Sequence, residues 1–440
     1  MGFRIMRLRL LHPVGLRVGA ALSCSLLIAM CLAGTVAAAT VTFGTPSATS
    51  QFGREIVFTQ PYDGASIKSA SILITLPDDP GPTVAAVSNV GSGSLTYAMD
   101  TSSGGVDPFV PVVGQFEIVL TDGTTLDGPE IKVTYDDDRF TWKTKIGKVV
   151  RLHYIDASDS FAQQMLSYAD TGLANAAALF GVSETQPLDY YVYPSQSDFQ
   201  QGLNQPDTVG GTVIQSVRIG YATVDPGDRV YAAQVMPHEP THVAFWDATH
   251  NPYHEAPRWL NEGFAQYVSQ GYDSDSRQIV SQAARDGTLP SLLALTDYFP
   301  LDSARIYLAY AEGLAAADFL VAKYSRAGVL KLVQAFAKGD TDDEAFKAAL
   351  GVDVATFDKA FMADNNATPT KYGPQPEGTS PGGTSVAPGS TPTTVPGQKA
   401  PTRSGNSALF LLAGIMAVVG VVLLGLALAM VLSSRRQAAR

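Results

Sequence analysis

Residues Ala408 to Leu432 run without a single charge and are rich in Leu, Val, Ala and Gly. A helix that spans a membrane needs roughly 20 such residues, and this run exceeds that length. Ser433-Ser434-Arg435-Arg436 follow, then Arg440 at the end. Basic flanks stay on the cytoplasmic side. Residues 407–432 therefore read as one transmembrane helix, 433–440 as a cytoplasmic tail, and everything before as lying outside. A cleaved lipid-anchor signal also ends in an apolar stretch, but does not usually carry a basic tail after it.

Residues 1–39 are the second apolar segment. Arg4, Arg7, Arg9 and Arg17 make a positive start, Val18 to Val36 an apolar core, and Ala37-Ala38-Ala39 a small-residue cleavage site. This reads as a secretory signal peptide; an uncleaved anchor helix is the alternative. Both cysteines, Cys24 and Cys31, lie inside it. The exported part then has no disulfide and must hold together through a sufficient core. The chain has 41 acidic against 30 basic residues, and seven of the basic ones are arginines of the two end segments. So acidic an exported part argues against nucleic-acid binding and against docking on anionic lipid.

Between the ends the pattern changes twice. Residues 40–150 hold short β-rich runs, such as Glu55-Ile56-Val57-Phe58 and Phe116-Glu117-Ile118-Val119-Leu120, separated by Gly, Pro, Asp and Ser clusters. That spacing predicts a small antiparallel sandwich. Residues 151–365 are mainly helical in pattern. Helices are expected over 160–180, 229–248, 256–270, 275–286 and 304–325, with shorter ones to 365. Two strands are expected, Leu188 to Tyr193 and Val213 to Thr223. Residues 366–406 are dominated by Pro, Gly, Ser and Thr and read as a flexible stalk.

The chemistry sits in Val235-Met236-Pro237-His238-Glu239-Pro240-Thr241-His242-Val243. Two histidines four apart share one face of a helix, so both rings can reach one zinc ion. The glutamate beside the first is placed to take a proton from a water that the metal activates. His238 and His242 are thus candidate ligands and Glu239 a candidate base; the bland alternative is two surface histidines at chance spacing. A second segment, Pro257-Arg258-Trp259-Leu260-Asn261-Glu262-Gly263-Phe264, follows at a distance that lets a second helix return. Its Glu262, 20 positions after His242, completes the two-histidine, one-glutamate set of catalytic zinc sites.

With these residues in place the chain resembles a gluzincin metallopeptidase of the peptidase MA-like group. The resemblance covers about 135–365, from Tyr135-Asp136-Asp137-Asp138-Arg139-Phe140-Thr141-Trp142 to Tyr310-Ala311-Glu312-Gly313. It implies an α+β protein, in which the β-sandwich-like domain precedes a mainly helical, zincin-like metallopeptidase domain and then the single transmembrane helix. It implies Zn2+ as cofactor on His238, His242 and Glu262, Glu239 as general base, and a peptide or protein substrate. Tyr310 is the candidate for stabilising the oxyanion, with core packing beside Tyr307 as its alternative. Asn261 is a candidate for orienting the site, and His250 and His254 for facing the cleft or only solvent. Arg139 and Trp142 are expected to lock the domain junction, and the 213–223 strand to form the sheet edge above the metal.

One position departs from the pattern. Pro240 lacks an N–H, and its ring clashes with the carbonyl four residues back, at roughly 3 kcal/mol inside a helix. A helix that begins near Met236 would put Pro237 at its first position and confine Pro240 to the first turn. Three readings stay open: an active membrane-anchored zinc peptidase, a catalytically silent zinc-binding surface protein, and a surface interaction protein that needs no metal.

Overall fold

The computed structural model describes residues 40–205, 209–300 and 303–368. The signal-peptide segment, the transmembrane run, the tail and nearly all of the stalk lie outside the described residues. Among those described, no helix is long and apolar enough to cross a membrane.

The first part is all β. Strands β1 (Val41–Phe43), β2 (Ser47–Gln51), β3 (Glu55–Gly64) and β6 (Ser94–Asp100) form one antiparallel sheet. Strands β4 (Ile67–Thr75), β5 (Thr83–Val87), β7 (Pro111–Leu120), β8 (Thr125–Asp127) and β9 (Ile131–Thr134) form another. Their period-2 alternation turns Ile56 and Phe58, Ile72 and Ile74, and Val112, Phe116, Ile118 and Leu120 into one shared core. Gly114 is small because Phe58 packs there: a Cβ would stand 2.7 Å from its ring.

The second part is not helical throughout. It opens with a five-stranded mixed sheet in the order β10 (Lys143–Ile146), β11 (Val150–Tyr154), β12 (Leu188–Tyr193), β14 (Ile219–Thr223) and β13 (Gly211–Ile214). β11, β12 and β14 run parallel, and the two edge strands run antiparallel to them. Helix α1 (Asp159–Phe180) links β11 to β12, and α2 (Gln196–Leu203), capped by Ser195, follows β12.

The single strand expected over 213–223 is instead a hairpin. A 3-10 turn at Gln215–Val217 breaks it, and Arg218 adopts a left-handed conformation, φ 55°. Such a conformation is strained for arginine. It is held by Glu184 and by Asp247, whose Oδ2 lies 2.6 Å from the guanidinium. Neither partner is local in sequence, so nothing near residue 218 signals the turn.

Among the described residues six further helices follow: α3 (Arg229–Thr249), α4 (Arg258–Ser269), α5 (Ser274–Asp286), α6 (Ser303–Phe336), α7 (Asp342–Leu350) and α8 (Val354–Asp364). α6 breaks at Ser325, φ 60°, where the sequence pattern also ends a helix. α4 and α6 cross backbone against backbone at Gly263 and Gly313; a Cβ on Gly313 would stand 2.9 Å from the Trp259 carbonyl oxygen. The junction between the two parts is aromatic and charged. Arg139 pairs with Asp137 and reaches Gln201, the Trp142 indole N–H donates to the Asp137 carbonyl, and Phe109 stacks on Tyr191 at 3.6 Å.

Candidate metal centre

The helix expected over 229–248 forms, and the start near Met236 that would have relieved the prolines does not occur. α3 begins eight residues before Pro237, at the Asp228 cap, whose side chain accepts from the Tyr231 amide. Pro237 and Pro240 both lie in the helix interior. The helix is kept by its surroundings. The Thr241 hydroxyl donates to the Pro237 carbonyl at 2.8 Å, and the buried Tyr190 hydroxyl to the Val235 carbonyl at 3.1 Å. Gly172 of α1 leaves the space that the Pro237 ring and backbone fill.

On this helix His238 and His242 stand one turn apart, ring centroids 4.8 Å from each other. α4 returns alongside and brings Glu262 between them: its Oε2 is 3.6 Å from each Nε2. One ligand atom from each of the three lies within 4.8 Å of the others. The donor set fits zinc. Bonds of about 2.0–2.1 Å in a tetrahedron put donors about 3.4 Å apart. Glu262 Oε2 is buried without a hydrogen-bond partner, the condition of a ligand atom left for a cation. His242 Nδ1 is 2.8 Å from Asn261 Oδ1; it donates there, which leaves the Nε2 lone pair toward Glu262.

The charges are arranged accordingly. Burial alone would push the Glu262 carboxyl up, but His242, His238 and Arg258 together hold it at about 2. Burial pushes Glu239 up to about 7, against the pull of His238 and with the help of Glu262. Burial lowers His242, while the nearby Glu262 carboxylate and the charge of Glu239 outweigh burial and raise His238.

Tyr310 of α6 faces His238, ring centroids 6.5 Å apart, and packs edge-on against Phe299. Burial, then Glu262 and Glu239, push its hydroxyl far above the usual range, so it keeps its proton. The sheet edge expected beside the site is β13, and what the sequence reading did not name is the Gly210-Gly211 contact. Strand β13 lies directly on the helix: a Cβ at Gly211 would stand 2.5 Å from Glu239 Oε1, and Gly210 leaves the room taken by the Tyr231 hydroxyl. Burial and Glu239 push Tyr231 up to about 12. The Gly-Gly pair at the start of the strand was the available signal.

Residues 168–365 match the family model of the Peptidase MA superfamily. No curated protein matches the chain. Among solved structures, OgpA from Akkermansia muciniphila is similar at 13% identity and TM-score 0.18, over 22% of this chain and 28% of that one. An M1 zinc metallopeptidase from Deinococcus radiodurans is similar at 12% identity and TM-score 0.34, over 76% and 96%. An aminopeptidase N family protein from Idiomarina loihiensis is similar at 12% identity and TM-score 0.35, over 74% and 60%. The chain thus spans under a third of OgpA's length.

Within residues 168–365 the two remaining histidines stand apart from His238, His242 and Glu262. His250 stacks on Trp246, and His254 pairs with Asp342 at 2.7 Å.

Proposed function

We propose that this protein is an extracytoplasmic zinc peptidase, exported by residues 1–39 and anchored by residues 407–432 with the tail in the cytoplasm. The observation that carries the reading is the convergence of His238, His242 and Glu262 beside a buried Glu239. Bound zinc would supply Lewis-acid activation of a water and of the scissile carbonyl. Glu239, at about 7, is poised to accept a proton from that water and to pass it to the leaving amine near neutral pH. The protonated Tyr310 would donate a hydrogen bond to the carbonyl oxygen as negative charge builds on it. Asn261 holds the His242 ring in place. The bare backbone of Gly210 and Gly211 leaves β13 flush with the site, and an extended peptide would add to this sheet edge by main-chain hydrogen bonds.

A silent zinc-binding protein is the second reading, and the two interior prolines favour it: a shift of about 1 Å in a catalytic group can cost a hundredfold in rate. One experiment separates them. The purified full chain should hold close to one zinc per molecule and cleave a peptide library in a chelator-sensitive way. Zinc without such cleavage would leave the silent reading; less than about half an equivalent of zinc would sink both.

A further inference from the structure

Beside the edge strand β13 lies a small cavity of about 120 Å³. Leu76, Val106, Val110 and Ile214 give it an apolar wall, and Asp79 and Asp107 line it as well. No side-chain hydrogen bond or ion pair reaches either carboxylate among the described residues. Asp107 is half-buried, and burial pushes its carboxyl up. The wall is fixed in advance. The Tyr221 hydroxyl donates to the Pro108 carbonyl, the Phe109 amide donates to the Tyr135 carbonyl at 2.6 Å, and the Phe109 ring stacks on Tyr191.

The place of this cavity relative to the metal centre follows from strand geometry. Side chains alternate along β13. Gly211 lies on Glu239 and Val213 packs on the helical core, whereas Ile214 packs on the core of the β sheets. A peptide added to this edge alternates in the same way. One set of its side chains meets the α3 face, and the other set meets the layer that holds the cavity. Ile214 is three residues from Gly211, about 10 Å along the strand.

We propose that this cavity is a subsite for one lysine or arginine side chain of an extended peptide, about three residues from the bond to be cut. The proposal rests on the reading of β13 as the substrate edge. The aliphatic stem of such a side chain matches the Leu76, Val106, Val110 and Ile214 wall, and its cationic head matches Asp107 and Asp79. A purely apolar side chain fills the space but leaves a half-buried carboxylate unpaired, and an acidic one is repelled. The β part of the chain thereby takes part in substrate choice.

The test uses the full chain carrying Glu239→Gln, so that bound peptide is not consumed. Its probes are short, end-blocked fluorescent peptides that differ only in the position of a single lysine, norleucine or glutamate. At one position lysine should bind about tenfold tighter than norleucine, and glutamate more weakly than both. Added to this protein, Asp107→Asn should bring lysine and norleucine to within about threefold, and Asp79→Lys should turn the preference toward glutamate. Asp79 is exposed, so this second change decides the matter if Asp107→Asn lowers the melting temperature. Equal binding of the three peptides at every position, or a lysine preference that survives both changes, overturns the proposal. Cleavage by the wild type is scored separately. Lysine preference without chelator-sensitive cleavage removes the peptidase reading and leaves the subsite. Cleavage without a preferred lysine position does the reverse.

Discussion

At the scale of single residues, Glu239 and Glu262 show how one site sets two carboxyls apart. Both are removed from water, yet Glu262 is held near 2 by the two histidines and Arg258, while Glu239 rises to about 7. The first is suited to hold a cation and the second to carry a proton. Glu239→Gln should therefore keep zinc and lower peptide hydrolysis by at least about a hundredfold; metal analysis beside a rate assay checks both, and loss of zinc would mean the helix is built otherwise. Asp189 makes a separate prediction. Burial raises its carboxyl, but His153 and Arg151 outweigh burial and lower it. A lowered carboxylate stabilises the fold above its unfolded value, about 3.9, and that stabilisation is lost as pH falls toward the folded value. Asp189→Asn should cost about 1–2 kcal/mol at pH 7, and denaturation curves should show the gap closing below about pH 4. These residues differed in legibility. His238, Glu239 and His242 lie within one turn or so, and that spacing alone predicts a shared face. The Gly210 and Gly211 contacts with Tyr231 and Glu239 join two elements, and a sequence pair cannot state which atoms will press on it.

At the scale of elements, α3 is the informative case. Its pattern from residue 229 was readable, but where the prolines fall in its hydrogen-bond ladder was not. Tyr190 and the space over Gly172 brace the proline turns from outside the local sequence, and the Thr241 hydroxyl braces them from within the helix. Pro240→Ala returns an N–H to the Met236 carbonyl and removes the ring clash, worth roughly 3 kcal/mol against about 1 kcal/mol of lost burial. The melting temperature should rise, with zinc content unchanged. A fall would show that ring packing in this buried turn outweighs the ladder. The β13–β14 hairpin failed to appear in the sequence for a related reason: Arg218 turns the chain only because Glu184 and Asp247 are waiting for it.

At the scale of the whole molecule, the β part and the mixed sheet that follows it share a core. Tyr193, Phe199, Leu203, Ile219 and Tyr221 belong to the same buried cluster as Phe58 and Phe116. The two parts should melt in one cooperative transition. Phe109→Ala removes the stack on Tyr191 and should lower that single transition by about 3–5 kcal/mol, as calorimetry can measure. Two separate transitions would refute the shared core. Composition announced two kinds of structure but not their fusion, because aromatic residues look alike whether they face their own sheet or another.

The edge strand has one more consequence, for kinetics. β13 is pinned at its turn by Arg218, and beside Glu239 it is bare backbone at Gly210 and Gly211. An edge of this kind pairs with extended backbone and not with a folded surface. A folded target would reach it only during its own local openings. Its cutting rate would then track how often that segment comes undone, and two proteins with the same cleavage sequence would fare differently according to their own stability.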